Sequence, residues 1–140
     1  MDSISKYKTI LGNTNTIALA TSVMNNPNVR IVNFYFNQKQ PNILYFASDR
    51  KNCKVEEFTR NNIIAFTSIP NEGIHHVRSV KATVQKSKQT INDMAQSFIS
   101  AIPGYDETIN AIGDTLDVFE IHISEAMVIS DFEKPTFIKF

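Results

Sequence analysis

A chain of 140 residues with 42% apolar and 20% charged side chains has the composition of one globular domain, which excludes a disordered polypeptide. Its 14 basic and 14 acidic residues give a formal net charge of zero, and this balance argues against a dedicated nucleic-acid binder. The single cysteine, Cys53, excludes an internal disulfide and suits a reducing compartment.

The beginning of the chain and its apolar runs bear on location. Residues 1–6 lack the apolar core of a signal peptide, and no apolar run approaches the ~20 residues that cross a bilayer. We therefore expect a cytoplasmic protein without a membrane partner, in which residues 1–140 form a single domain.

Apolar periodicity predicts short strands joined mainly by turns, with helices inserted between some of them. In the strand predicted for 75–86, strict alternation places Val80, Ala82 and Val84 on one face and Val77 on the other. Six or seven antiparallel strands in so short a chain favour a small, mainly β barrel. The predicted strands are 16–23, 29–36, 43–47, 63–69, 75–86, 116–123 and 125–130, with an edge strand within 132–140; the predicted helices are 4–11, 52–62, 90–102 and a short piece through 109–112.

Three cations, Arg50, Lys51 and Lys54, crowd the start of the helix predicted for 52–62. A helix N-terminus already carries partial positive charge and unpaired N–H groups, so cations there are unfavourable. A bound anion removes the conflict, because the N–H groups and the ammonium groups then face the same negative charge. The sequence therefore predicts a phosphate site at this helix start.

Six segments of the chain, in order, carry a resemblance to a known family: Ala20-Thr21, residues 27–32, 44–48, 54–62 and 77–82, and residues 116–121. In this order they resemble the flavin-binding split β-barrel proteins related to pyridoxamine 5'-phosphate oxidase. The resemblance covers about residues 15–125, and it rests on the ordered set rather than on any one segment. It implies an antiparallel split barrel of six to seven strands, of the FMN-binding type, and a homodimer with a flavin at the subunit interface.

The resemblance assigns the FMN phosphate to residues on two segments. Arg30 would bind it from a strand and Lys54 from the helix start, while Asn52 and Cys53 would place a side-chain or backbone donor beside it. Cys53 stands where the related oxidases often carry a second phosphate-binding arginine, and Arg50 or Lys51 are candidates to replace it.

The isoalloxazine ring is assigned to other residues. Ile31, Val32 and Asn33 would run beside the ring, with backbone groups meeting its polar edge, and Ala47 and Ser48 would border the ring and the ribityl chain. His75 matches a position where the partner chain approaches the flavin. The segment 131–140 has no arginine, whereas the oxidases hold the substrate phosphate with an arginine-containing C-terminal segment, so pyridoxamine phosphate is not the expected substrate.

Taken alone, Arg30 favours an ion pair with a cross-strand carboxylate, and Lys54 favours a solvated position or a pair with Glu56 or Glu57. Together, and in this family context, they favour an anion site. We predict an FMN-dependent oxidoreductase acting on a small molecule, with no metal site and no motif that identifies a catalytic residue. The alternatives are a non-catalytic flavin or haem carrier, a deazaflavin in place of FMN, and a barrel that binds single-stranded nucleic acid, which the neutral charge disfavours.

Overall fold

One antiparallel sheet of eight strands organises residues 1–140 in the computed structural model. Of the four α-helices, one precedes the first strand and three lie between strands, and none of them is long and apolar enough to cross a membrane. The elements in chain order are α1 (Ser3–Gly12), β1 (Thr16–Val23), β2 (Asn26–Asn33), β3 (Tyr35–Phe36), β4 (Ile43–Asp49), α2 (Cys53–Arg60), β5 (Ile63–Ser68), β6 (His76–Lys86), α3 (Ile91–Ala101), α4 (Tyr105–Ile112), a 3-10 turn (Gly113–Thr115), β7 (Leu116–Ile129) and β8 (Thr136–Lys139).

The sheet order is β2-β1-β5-β6-β7-β4-β3, with β8 added on β7, and every pairing is antiparallel. The sheet curls so far that β2, at one end of this order, comes into contact with β4 near the other end. This arrangement confirms the predicted mainly β fold of the antiparallel split-barrel type. Because α2 follows β4 directly, the curl also brings the start of α2 towards β2.

Two predicted strand boundaries are wrong. The strand predicted for 29–36 ends at Asn33, and Tyr35 and Phe36 form a separate strand that pairs with β4. Phe34 interrupts the two because its side chain is buried and its N–H donates to the carbonyl of Asn15 at 2.9 Å. The two strands predicted for 116–123 and 125–130 are one continuous strand, because β6 pairs with residues on both sides of Ser124. The carbonyl of Ser124 itself accepts from the N–H of Phe140.

The alternation predicted for β6 is also wrong. Val77, Ala82 and Val84 are all buried, although strict alternation separates the first from the other two, and Val80 is exposed. The pairing register of β6 with β7 shifts between Ser79 and Ala82. An irregularity of this kind inserts a residue and exchanges the two faces of a strand, so both halves of β6 present apolar residues to the same core.

Phe58 fixes α2 inside the curl of the sheet. Its ring contacts Phe46 on β4 and Phe119 on β7, with centroid separations of 6.1 and 5.0 Å, and those two rings lie 5.5 Å apart. Val55 packs against the same core, as predicted for the inward face of this helix. A second cluster lies on the outer face of β4 and β7, where α3 and α4 cover it. The placement of the helix start therefore depends on the packing of these three rings.

We predict that Phe58→Ala lowers the free energy of unfolding by about 3–5 kcal/mol, because it removes a buried ring and leaves a cavity under α2. The control is Thr59→Ala, one residue along on the exposed side of the helix, which should change it by no more than about 0.5 kcal/mol. Urea unfolding measures both. Equal losses for the two variants would contradict the anchoring role of Phe58.

Candidate anion site

Arg30 lies on the inner face of β2, oriented by three acceptors. Its Nη1 donates to Oγ1 of Thr21 at 2.9 Å and to the carbonyl of Leu19 at 3.4 Å. Its Nη2 forms an ion pair with Oε1 of Glu57 on α2 at 2.9 Å. Thr21 and Leu19 belong to β1, the only strand that pairs with β2. The guanidinium is thus held between the sheet and α2.

Lys54, on the first turn of α2, is half-buried and has no ion-pair or hydrogen-bond partner for its ammonium group. Burial, followed by the positive charge of Arg30, lowers the pKa of Lys54, while the carboxylate of Asp49 acts in the opposite direction. The curled sheet therefore brings the two predicted phosphate ligands together. The alternative that Lys54 pairs with Glu56 or Glu57 is not observed.

The start of α2 is capped by short polar side chains. Oδ1 of Asn52, the N-cap residue, accepts from the N–H of Lys54 at 3.0 Å, and Oδ1 of Asp49 accepts from the N–H of Lys51 at 2.8 Å. Cys53 is exposed, and its N–H donates to no group in the chain. Asn52 and Cys53 therefore lie at the helix start as predicted. The N–H of Cys53 and the side-chain NH₂ of Asn52 take no part in the cap.

Arg50 and Lys51 differ in their placement. The guanidinium of Arg50 turns to β7 and its preceding turn, donating to the carbonyl of Asp114 at 3.0 Å and to Oδ1 of Asp117 at 3.4 Å. Lys51 is exposed and its ammonium has no partner. Of the two candidates for the arginine that Cys53 replaces, Lys51 is therefore the one whose charge is not already engaged.

The residues predicted to border the flavin ring fall on different faces. On β2, Ile31 and Asn33 are exposed on the outer face and Val32 packs against the main core. On β4, Ala47 packs against the outer cluster under α3, while Ser48 is buried with its Oγ donating to the carbonyl of Asp49 at 3.2 Å. Within one chain, the segment 31–33 shares an edge strand with Arg30.

His75 lies elsewhere in the chain. Its imidazole is 3.2 Å from Oδ2 of Asp131, and both residues line a cavity of about 470 Å³ beside α1. Neither Arg30 nor Lys54 lines this cavity. One chain therefore does not bring His75 together with the anion site.

Sequence reasoning missed the part that Thr21 and Glu57 play at the site. The sequence suggests Glu57 only as a partner for Lys54, whereas in the structure its carboxylate accepts hydrogen bonds from Arg30 and Thr21. Helical spacing contained a signal, because residues three apart lie on one face of a helix, so that Glu57 faces the same way as Lys54. Thr21 continues the inward-facing alternation of Ile17 and Leu19 on β1.

The side chains present fit an anionic group of a cofactor. A half-buried ammonium without a partner, a neighbouring guanidinium and a helix-start N–H are the donors that proteins present to phosphate. A family model described as pyridoxamine 5'-phosphate oxidase-like matches residues 10–134. The chain belongs to the pyridoxamine 5'-phosphate oxidase-like family.

Solved structures with the same fold include members of this family and proteins named for two cofactors. A heme binding protein from Mycobacterium smegmatis has a TM-score of 0.78 at 10% identity, covering 99% of this chain and 58% of that chain. A protein related to general stress protein 26, of the pyridoxinephosphate oxidase family, from Clostridium acetobutylicum has a TM-score of 0.72 at 11% identity, covering 97% and 93%. A FAD-binding protein from Mesorhizobium loti has a TM-score of 0.65 at 13% identity, covering 90% and 92%.

At these identities the likeness shows the fold that the chain shares with them. The chain spans 58% of the length of the mycobacterial protein. No curated protein shows significant sequence similarity to the chain.

Lys54 makes a testable contribution to the stability of the ligand-free protein. Its pKa is lowered in the fold, so wherever the pH lies below the folded-state pKa the side chain is charged in both the folded and the unfolded chain, and its burial opposes folding to the full extent. We predict that Lys54→Met raises Tm by about 1–4 °C. Lys88→Met, at an exposed lysine outside the site, should leave Tm unchanged. A lower Tm for Lys54→Met would show that the charge stabilises the ligand-free fold.

Proposed function

We propose that the protein binds FMN at the site formed by Arg30 and Lys54 and that it is a flavin-dependent oxidoreductase acting on a small molecule. The observation that carries this proposal is the ammonium of Lys54, which is half-buried beside a second cation and has no partner in the chain. A lysine held in this way is costly unless an anion completes the site. The chain belongs to the pyridoxamine 5'-phosphate oxidase-like family, and a FAD-binding protein has a similar fold. Both findings favour a flavin phosphate as the anion.

Each part of the chain contributes a separate function in this proposal. Lys54 and the N–H of Cys53 bind the phosphate, together with Arg30. The segment 31–33 belongs to β2, an edge strand whose outer backbone groups are not paired in the sheet, so they are available to orient the polar edge of a flavin ring. When bound, a flavin supplies the transfer of hydride or electrons, and the protein supplies anchoring, orientation and access.

The same proposal includes a homodimer with the flavin at the subunit interface. On the outer face of the sheet, Val29, Ile31 and Ile63 are 65%, 61% and 66% exposed. Ala20 and Ala65 continue the row of Val29 across β1 and β5, so this row of the outer face is apolar. Exposed apolar faces of this kind mark contact surfaces. A second copy that covers this face would also lie against the β2 edge where the ring is placed.

The alternative function is a non-catalytic carrier of flavin or haem. The specific observation that favours it is the likeness to the mycobacterial heme binding protein over 99% of this chain. Haem carries two carboxylates, which the same two cations could accept. Oxidation of a reduced nicotinamide by the FMN-loaded protein would contradict a pure carrier. Tighter binding of haem than of FMN, without turnover, would support the carrier.

The phosphate assignment predicts a difference between FMN and riboflavin, which lacks the phosphate. We expect the native protein to bind FMN more tightly than riboflavin and Lys54→Met to weaken FMN about tenfold or more, because one charge-assisted contact contributes about 1.5–3 kcal/mol. Riboflavin binding should change little. Isothermal titration with each ligand measures this difference.

Lys88→Met is the matched control for that titration, since it removes the same charge at an exposed position outside the site. Equal losses of FMN and riboflavin affinity in Lys54→Met would contradict the phosphate assignment. A protein that purifies colourless, and whose Tm is unchanged by added FMN, would contradict the flavin proposal as a whole.

The dimer proposal predicts that Ile31→Lys converts a dimer into a monomer at micromolar concentration, because it buries a charge in an apolar interface. FMN affinity should fall together with the dimer. The control is Ile112→Lys on α4, where an isoleucine is also exposed but lies away from β2. Chromatography with light scattering gives the mass. A native protein that is monomeric under these conditions would rule out the proposed interface.

A further inference from the structure

The carboxylate of Glu57 occupies the position next to Arg30 that an incoming anion would take. Oε1 accepts from Nη2 of Arg30 at 2.9 Å and Oε2 accepts from the hydroxyl of Thr21 at 2.8 Å. Nδ2 of Asn28 lies 3.4 Å from both oxygens. The side chain is only 19% exposed. The carboxylate is therefore enclosed by donors on β1 and β2.

The charge of Arg30 is neutralised before any ligand arrives. Arg30 is paired with Glu57, whereas the ammonium of Lys54 has no ion-pair partner in the chain. A phosphate that bound Arg30 through Nη2 would have to displace the carboxylate. Thr21 and Asn28 would still hold that carboxylate, so its release from Arg30 would not leave it without donors.

We propose that Glu57 sets the affinity threshold of the anion site: it is an internal anion that holds Arg30 and yields it only to a ligand whose remaining contacts offset the lost ion pair. This rests on the proposed function in so far as the ligand is a flavin phosphate. Inorganic phosphate, with no further contacts, cannot offset the loss, whereas a phosphate attached to a large ring can. The ion pair thus excludes abundant small phosphates from the site.

Glu57→Gln tests this proposal, because glutamine keeps the shape and one acceptor oxygen but removes the competing charge. The matched control is Glu56→Gln, the adjacent carboxylate of α2, which is exposed and has no ion pair. Titration calorimetry with inorganic phosphate, FMN and riboflavin is performed on the native protein and on each variant. Thermal melts confirm that the variants are folded, and Glu57→Ala replaces Glu57→Gln if the latter does not fold.

We expect Glu57→Gln to raise the affinities for inorganic phosphate and FMN by about tenfold or more and to leave the affinity for riboflavin unchanged. The ratio of FMN to riboflavin affinity should therefore rise. Glu56→Gln should change none of the three. Weaker FMN binding in Glu57→Gln would overturn the proposal, since it would mean that Glu57 orients Arg30 for the ligand. An unchanged ratio would also overturn it.

Failure of the proposed function gives a different result. If neither the native protein nor Glu57→Gln binds FMN or riboflavin, the flavin proposal fails. If Glu57→Gln then binds inorganic phosphate more tightly than the native protein does, the result still supports the role of Glu57 in keeping phosphate from Arg30. If inorganic phosphate binds to neither protein, this role is overturned as well.

Discussion

The edge-to-face packing of Phe58 against Phe46 and Phe119 is the contact on which the anion site depends. It docks α2 inside the curl of the sheet, and the curl brings β2 against β4. Arg30 and Lys54 are distant in sequence and on different elements, so neither local structure nor strand pairing alone would place them together. Aromatic packing thus determines an electrostatic arrangement, because one face of α2 carries Phe58 into the core and the next carries Lys54 and Glu57 towards β2.

That electrostatic arrangement is unfavourable in the ligand-free chain and only partly relieved within it. Two cations lie close together in a half-buried position, where repulsion and desolvation both lower the pKa of Lys54. Glu57 neutralises one of them, and the other is left without a partner. A fold under no functional constraint would resolve the conflict with an uncharged residue at position 54. The retained conflict is typical of a binding site, where the ligand supplies the missing charge.

The fold class predicted from the sequence is confirmed, and the assignment of Arg30 and Lys54 to one phosphate site stays a prediction. The details that depend on tertiary contacts did not follow from the sequence. The apolar spacing of α2 is strong because Val55 and Phe58 define its buried face, whereas β6 was predicted wrongly because its register shift leaves no mark in an alternating pattern. The turn of Arg50 towards Asp117 depends on residues more than 60 positions away, and so does not follow from local charge. The helical spacing places Glu57 on the same face of α2 as Lys54, but its partner, Arg30 on β2, follows only from the curl of the sheet.

The residues proposed to bind phosphate converge within one chain, whereas those proposed to border the ring do not. Arg30, Lys54 and the start of α2 converge within the chain, whereas Ile31 and Asn33 point outwards and Ala47 faces the cluster under α3. A ring placed along β2 would therefore be covered on one side only, and the apolar face that contains Ile31 would remain in water. A second copy resolves both problems at once, since it would cover the apolar face and close the ring site. In the proposed dimer, His75, which is remote from Arg30 in its own chain, would have a role only if it approached the flavin of the partner. Anchoring of the flavin would then depend on one chain and substrate access on two, so mutations could separate these two properties.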